Sequence, residues 1–150
     1  GVPAKHFAKN TFPEVETTND LEMLRGLQGE TAYPEALAEI HRALSPGGLL
    51  ALEEPMHRDV ELPSDLIPLV SQGDHPWTDF FATIQETEEA VLSAGFEILE
   101  AAYAPDARPW WEEYARYDPA SRQDPQGEAR TIAIDNGRWL SFGSVIAQKL

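Results

Sequence analysis

Two residues with acid–base chemistry follow directly on an apolar run in the middle of the sequence. Glu54 and His57 come just after Leu49–Leu52, and carboxyl and imidazole groups titrate in a useful pH range once their surroundings shift the pKa. Both are therefore candidates to face a substrate, to hold one of its polar groups or to act as a base. The alternative, in which Glu54 makes a local hydrogen bond and His57 is solvated, stays open, so no catalytic residue is named.

The spacing of Glu54 and His57 also matches E-x-x-H, which is part of a zinc-binding motif. We place His57 on a loop after Pro55, so the pair does not share a helix, and no second histidine lies one helical turn away. A zinc site needs three or four convergent ligands, and the chain has no cysteine that could supply a thiolate. We therefore expect no metal site.

A first group of aromatic residues surrounds Trp77, in the segment "DHPW" and at Phe80 and Phe81. Aromatic rings shape apolar pockets, so Trp77 is a third candidate to face a substrate, as part of a lid. The alternative is a loop that anchors itself on the core through these rings.

A second group of aromatic residues lies in the segment "PWWEEYARY", at Trp110, Trp111, Tyr114 and Tyr117. Tyrosine and tryptophan are enriched at protein interfaces, which makes an interface our first interpretation. Core packing is the second interpretation, and an aromatic cage for a cation is the third.

The elements that must position these residues begin with a helix and a turn. Pro34 suits the first turn of a helix, and one helical face carries His41, which we expect in the core, and the apolar Leu37, Ile40 and Leu44. The segment "SPGG" ends this helix, because Pro46 presets φ and the glycines accept positive φ. The following "LLAL" is apolar without alternation, which is typical of a strand covered on both faces.

The rest of the chain shows weaker signals. We predict an irregular segment over 1–20 and a short strand at "LEML". A loop region follows over 55–80, with a short helix at 64–70. The next helix spans 86–94, with Thr87 as its N-cap and Gly95 after its end. A strand over 96–103 and an insertion over 104–130 follow. The segments "TIAI" and "WLSFGSVIAQ", on either side of Asn136-Gly137, predict a C-terminal hairpin with a type I′ turn.

Composition limits the classes of function. The chain has 150 residues, of which 42% are hydrophobic and 25% charged, so we expect a single domain over 1–150. Its net charge of −15 disfavours nucleic acids, whose binding requires basic residues. No apolar run approaches the length of about 20 residues that a membrane span needs, and the first residues lack the apolar core of a signal peptide. We expect a cytoplasmic protein without a membrane partner, and its charge suits a neutral or cationic substrate.

The order of these elements resembles the C-terminal half of the class I S-adenosylmethionine-dependent methyltransferases. In that family a helix often ends in E-[IV]-x-R-x-L-[KS]-P-G-G before the fifth strand, and the matching residues here are Glu39, Ile40, Arg42, Leu44, Ser45, Pro46, Gly47 and Gly48. "AGF" at 94–96 resembles the next junction between helix and strand. The resemblance covers about residues 20–150 and implies an α/β fold: a partial Rossmann-like sheet of mixed parallel and antiparallel strands with flanking helices.

The resemblance also implies an absence. The family binds its cofactor mainly through a glycine-rich loop and an acidic strand end in its N-terminal half, and this sequence has no G-x-G-x-G. Residues 12–25 fall near the fourth strand of a sheet ordered 3-2-1-4-5-7-6. Strands one to three are then missing, and no cofactor-binding residue can be named here.

A fourth strand without its neighbours would be an open edge, with unpaired backbone groups. We therefore expect a homodimer, or another partner that covers this edge. The function that the resemblance implies is methyl transfer from S-adenosylmethionine to a small molecule. The alternative is a catalytically inactive methyltransferase-like domain in assembly or small-molecule binding, so whether this chain alone is an enzyme stays open.

Overall fold

A four-stranded sheet forms the centre of the computed structural model, which describes residues 15–18, 21–29, 31–124 and 126–150. Its strands are β1 (Val15–Thr18), β2 (Leu49–His57), β3 (Phe96–Tyr103) and β4 (Leu140–Lys149). They lie in the order β1-β2-β4-β3, with β1 parallel to β2 and β4 antiparallel to both its neighbours. The predicted partial α/β sheet is confirmed, and its order equals strands 4-5-7-6 of the sheet that the sequence resembles.

Eight helices accompany the strands in the described ranges. They are α1 (Glu22–Gln28), α2 (Ala32–Ala43), α3 (Ile67–Val70), α4 (Trp77–Phe80), α5 (Ile84–Ser93), α6 (Arg108–Tyr117), α7 (Pro119–Gln123) and α8 (Glu128–Asp135). No helix within these ranges has the length and apolarity needed to cross a membrane.

The predicted unit of helix, turn and strand forms α2 and β2. Its turn has φ of 82° at Gly47, a conformation that favours glycine. The end of β4 locks the turn, because the Gly47 N–H donates to the Lys149 carbonyl at 2.8 Å and the Lys149 N–H donates to the Gly48 carbonyl at 2.9 Å. The Lys149 ammonium also donates to the His41 and Leu44 carbonyls, at 2.6 and 2.7 Å, where it complements the negative end of α2.

The strand β2 is longer than the sequence indicates, and the predicted loop after Pro55 is wrong as far as His57. The apolar run marks only Leu49–Leu52, which is the part of β2 that pairs with β1. Beyond Leu52, β2 pairs with β4 alone within the described residues. Proline is tolerated at such an edge because its missing N–H breaks no ladder there, which explains why Pro55 does not end the strand.

The helix α5 begins earlier than predicted. Its N-cap is Thr83, whose hydroxyl oxygen accepts from the Glu86 N–H at 3.1 Å, and not Thr87. Thr87 is buried inside the helix, and its hydroxyl donates to the Thr83 carbonyl at 2.9 Å. Gly95 follows the helix with φ of 98°, as predicted.

Two predicted strands are helical. "LEML" belongs to the start of α1, and "TIAI" lies inside α8, so the predicted C-terminal hairpin is wrong and β4 follows a helix instead. Asn136 has φ of 48° and ends α8 in the left-handed conformation, and Gly137 follows with φ of 77°. Asn-Gly serves a helix end as readily as a type I′ turn, because both need positive φ.

Two predicted segments keep their positions only in part. The segment predicted to be irregular over 1–20 contains β1, and its other residues lie outside the described part of the chain. The predicted insertion over 104–130 holds α6, α7 and the start of α8, three helices packed against one another.

The main core lies between one face of the sheet and the helices α2 and α5. Side chains alternate along β2, so Leu50, Leu52, Glu54 and Met56 point into this core. We call this the covered face and the opposite side of the sheet the open face. A second apolar cluster, around Trp111 and Trp139, joins α3, α6 and α8 to the start of β4.

A close approach of α1 to α4 yields a test of this packing. A Cβ added at Gly26 would overlap the Phe80 ring. Glycine in a helix normally costs about 0.5–1 kcal/mol relative to alanine, but we expect Gly26→Ala to destabilise the protein by roughly 1–3 kcal/mol because of this overpacking. Urea unfolding followed by circular dichroism measures the change, and Phe80→Leu should reduce the penalty in the double variant. A stabilised Gly26→Ala protein would show that α1 does not pack on Phe80.

Candidate functional site

A carboxylate interrupts the apolar row that β2 presents to the core. Glu54 lies between Leu52 and Met56 on the covered face, and its side chain is fully buried. It lies near the carboxyl end of β2, the end at which open α/β sheets bind their ligands. A buried ionisable group needs partners, because burying a charge without them is costly.

Two other elements supply these partners. From α2, the Tyr33 hydroxyl donates a hydrogen bond of 2.9 Å to Glu54 Oε1. From α1, Arg25 Nη1 lies 3.7 Å from Glu54 Oε2, and its guanidinium carbon lies 3.6 Å from the centroid of the Tyr33 ring. We call Arg25, Tyr33 and Glu54 the Glu54 cluster. It connects the helix that follows β1 to the central strand β2.

Burial dominates the electrostatics of this cluster. It raises the pKa of Glu54 to about 7, although the Arg25 charge and the Tyr33 hydrogen bond both act to lower it. Burial and the Glu54 charge raise the pKa of Tyr33, which keeps that hydroxyl a neutral donor. Near neutral pH, Glu54 therefore exists in both its protonated and its ionised form.

Two atoms of the cluster are buried without a hydrogen bond. These are Glu54 Oε2 and Arg25 Nη1, which face each other at 3.7 Å. That distance is too long for a hydrogen bond and short enough for charge attraction. The cluster thus contains one hydrogen bond, between Tyr33 and Glu54, and one ion pair, between Arg25 and Glu54, whose atoms lie beyond hydrogen-bond distance.

His57 does not join Glu54. It occupies the last position of β2 and, by strand alternation, points away from the covered face. Its ring stacks on Trp139, with centroids 4.9 Å apart and planes 12° apart. Its Nδ1 lies 2.8 Å from the Arg58 carbonyl oxygen, which can only accept, so Nδ1 carries the proton.

Trp77 begins α4 and lies in the second apolar cluster. Its ring centroid is 5.6 Å from that of Phe81 and 5.8 Å from that of Trp111. The segment before Trp77 is thus anchored on the core through this ring, as the alternative interpretation holds. Glu54, His57 and Trp77 occupy three separate environments, and their contact with a substrate stays a prediction.

The other aromatic residues divide between two environments. Trp111 is buried, and its indole N–H donates to the Ser141 carbonyl at 3.2 Å. Trp110, Tyr114 and Tyr117 are exposed, so the predicted interface remains a prediction for them. His41 is half-buried, with its ring edge-on to Phe96 at 5.0 Å between centroids.

The sequence did not single out Arg25 or Tyr33. Tyr33 lies four residues before Leu37 on the same helical face, and a buried tyrosine hydroxyl needs a partner; this signal could have identified it. Arg25 gives no such signal, because the strand predicted at "LEML" ends just before it and hides the helix that carries it. Among the described residues, no three histidine or acidic side chains come close enough to hold a metal ion.

Comparison with known proteins shows similarity at the level of structure alone. No protein-family model and no curated protein matches the sequence. Solved structures do match. A phosphoethanolamine N-methyltransferase 2 of Haemonchus contortus superposes with a TM-score of 0.61 and 15% identity, over 90% of this chain and 33% of its own. A SAM-dependent methyltransferase of Thiobacillus denitrificans, bound to S-adenosylhomocysteine, superposes with a TM-score of 0.59 and 16% identity. The match covers 91% of this chain and 58% of the methyltransferase.

A further matching structure belongs to a protein named for a different activity. The [4+2]-cyclase SpnF superposes with a TM-score of 0.55 and 19% identity, over 90% of this chain and 48% of its own. This chain thus spans between a third and just under 60% of these solved chains. It has the fold of one portion of a class I methyltransferase.

The raised pKa of Glu54 predicts that the folded protein becomes less stable as pH rises towards neutrality. The unfolded carboxyl ionises near 4.5, whereas the folded one keeps its proton to about 7. The folded state therefore binds more protons between these values, and the free energy of unfolding should fall by about 3 kcal/mol as pH rises through that window. Glu54→Gln should remove this loss and keep an acceptor for Tyr33.

Urea unfolding at a series of pH values measures this effect. The neighbouring Glu53 is exposed, so Glu53→Gln is the matched control and should leave the pH dependence of the wild type in place. A carbon NMR titration of Glu54 with a midpoint near 4.5 would show that folding does not raise the pKa of this carboxyl and would contradict the prediction.

Proposed function

We propose that this chain is the C-terminal part of an S-adenosylmethionine-dependent methyltransferase that acts on a small molecule. One observation carries the proposal: the strand order β1-β2-β4-β3, with a parallel first pair and antiparallel β4. Several solved structures that share this fold are complexes with S-adenosylmethionine or S-adenosylhomocysteine. The fold and its relatives support the class of reaction, and the acceptor is part of the proposal only as a small molecule.

The residues described here do not fit the cofactor by themselves. The sequence contains no G-x-G-x-G loop that could let its backbone approach the methionine part. Glu54, near the carboxyl end of β2, is also unsuited to a grip on the ribose, because it is buried and engaged by Tyr33. We therefore derive no transfer step from these residues and assign cofactor binding to strands outside the described sheet.

The free side of β1 is where such strands would join. Within the described residues β1 pairs only with β2, over Val15–Thr18, so its other backbone groups face no described strand. Unpaired strand edges recruit further strands. In our proposal a preceding half of a longer protein, or a second copy of the chain, continues the sheet there.

In the complete enzyme this chain would provide part of the wall around the acceptor. Methyl transfer needs little beyond alignment of the acceptor with the methyl group, because proximity supplies much of the acceleration. Because Glu54 is fully buried and bonded to Tyr33, in our proposal it supports this wall from inside the core, and no contact with the acceptor is derived for it. Our proposal keeps His57 and Trp77 as the further candidates at this end of the sheet.

A second function is a methyltransferase-like domain without catalysis, acting in assembly or in binding a small molecule. The missing glycine-rich loop favours it for the chain acting alone. The similarity to SpnF also shows that this fold is compatible with a function other than methyl transfer.

Calorimetry can separate the two functions. We expect no heat when S-adenosylhomocysteine is titrated to millimolar concentration into the chain alone, because the described residues lack a cradle for it. We expect micromolar binding once the chain is joined to a preceding segment of its reading frame that carries a strand and a G-x-G-x-G loop. Micromolar binding by the chain alone would refute the missing-cradle argument, and an extended protein that neither carries the motif nor binds the ligand would refute the methyltransferase.

A further inference from the structure

The open face of the sheet has a hollow at its centre. Pairing places Glu53, Ser144 and Ala102 side by side in one row across β2, β4 and β3. The next row towards the amino end of β2 holds Ala51, Ile146 and Glu100. Alanine and serine are small, so the middle of this face forms the floor of a groove of about 630 Å³.

Aromatic rings border the groove at the end nearest the carboxyl end of β2. Phe142 lies on β4 one row from Ser144 in that direction, and Trp110 of α6 packs edge-on against Phe142 with ring centroids 5.4 Å apart. Trp110 nevertheless remains 51% exposed, although a large apolar side chain usually gains by burial. Both rings line the groove, so a ligand there would meet aromatic surface that the protein leaves uncovered.

Two carboxylates stand on opposite sides of this floor. Glu53 on β2 and Glu100 on β3 both line the groove and are exposed, and β4 lies between their strands. Strand spacing and the offset of one row put their Cα atoms roughly 12 Å apart. Neither has an ion-pair partner among the described residues, and the residues that line the groove include no lysine, arginine or histidine.

We propose that this groove binds a small organic cation with an apolar flank, such as a quaternary ammonium compound. Carboxylates attract the positive charge, and the face of Trp110 adds a cation–π contact. The net charge of −15 works against an anionic ligand in the same place. This proposal rests on the groove alone and holds whether or not the chain takes part in methyl transfer.

The test compares the binding of two small ligands that have the same shape and differ in charge. Choline carries a quaternary ammonium, and 3,3-dimethylbutan-1-ol has a carbon atom in place of the nitrogen and no charge. Binding to the full chain is followed by the NMR signal of the backbone N–H of Ser144, which lines the groove and is kept in every variant. We expect saturable binding of choline and at least about ten-fold weaker binding of the neutral alcohol, because the charge and its cation–π contact are lost.

Variants then locate the site. Glu53→Gln and Glu100→Gln should each weaken choline binding about five-fold, as for an exposed charge at short range. Trp110→Leu keeps apolar contact and removes the ring face, and should weaken choline more than the alcohol. The matched control is Glu97→Gln: Glu97 is exposed on the same strand as Glu100 but does not line the groove, so affinity should stay unchanged.

Three results would overturn the proposal. Equal affinity for choline and the alcohol would remove the role of the charge. An equal loss in Glu97→Gln and Glu53→Gln would show that only the overall negative charge of the chain matters. Absence of choline binding would also refute it, and light scattering would then show whether a second copy of the chain occupies this face.

Discussion

The pairing of β2 with β4 is the constraint on which the other features depend. It runs from Leu49 with Gln148 to His57 with Leu140, and so joins the middle of the chain to residues more than 80 positions later. Because the two strands lie in register over their whole length, they fix which side chains share a face. The Glu54 cluster exists on one face, and the groove with Glu53 exists on the other, because successive residues of β2 point in opposite directions.

The Glu54 cluster shows what it takes to hold a polar group inside an apolar layer. The Tyr33 hydroxyl satisfies one carboxylate oxygen at 2.9 Å, while Arg25 stays 3.7 Å from the other. An incomplete set of partners in a buried position is costly, so this residue is not explained by stability alone. Its position near the carboxyl end of β2, where α/β folds bind ligands, accords with a functional origin. The fold itself is compatible with several activities, and the side chains at this end must decide among them.

The sequence predicted those parts of the fold whose signals are local. The helix α2, its Pro-Gly-Gly turn and the start of β2 need only neighbouring residues to specify them, and the same holds for Gly95 after α5. Asn136-Gly137 misled the prediction because positive φ is compatible with two structures, and only the packing of α8 on α6 selects the helix end. In β2 the apolar Leu49 and Ala51 lie on the open face and hide the alternation, so the burial of Glu54 could not be foreseen. Arg25 belongs to the site through contacts with Tyr33 and Glu54 that no spacing in the sequence records, whereas the spacing of Tyr33 and Leu37 on one helical face could have identified Tyr33.

The late position of β4, whose last residue Lys149 bonds to the turn at Gly47 and Gly48, affects how the protein folds during its synthesis. During synthesis the central strand emerges long before the partner that closes its second side, since about 80 residues separate Leu49–His57 from β4. Throughout that interval a strand with apolar side chains offers its backbone to any other chain nearby. Nascent chains on the same messenger RNA could therefore pair incorrectly through this strand. The net charge of −15 opposes such pairing, because like-charged chains repel one another.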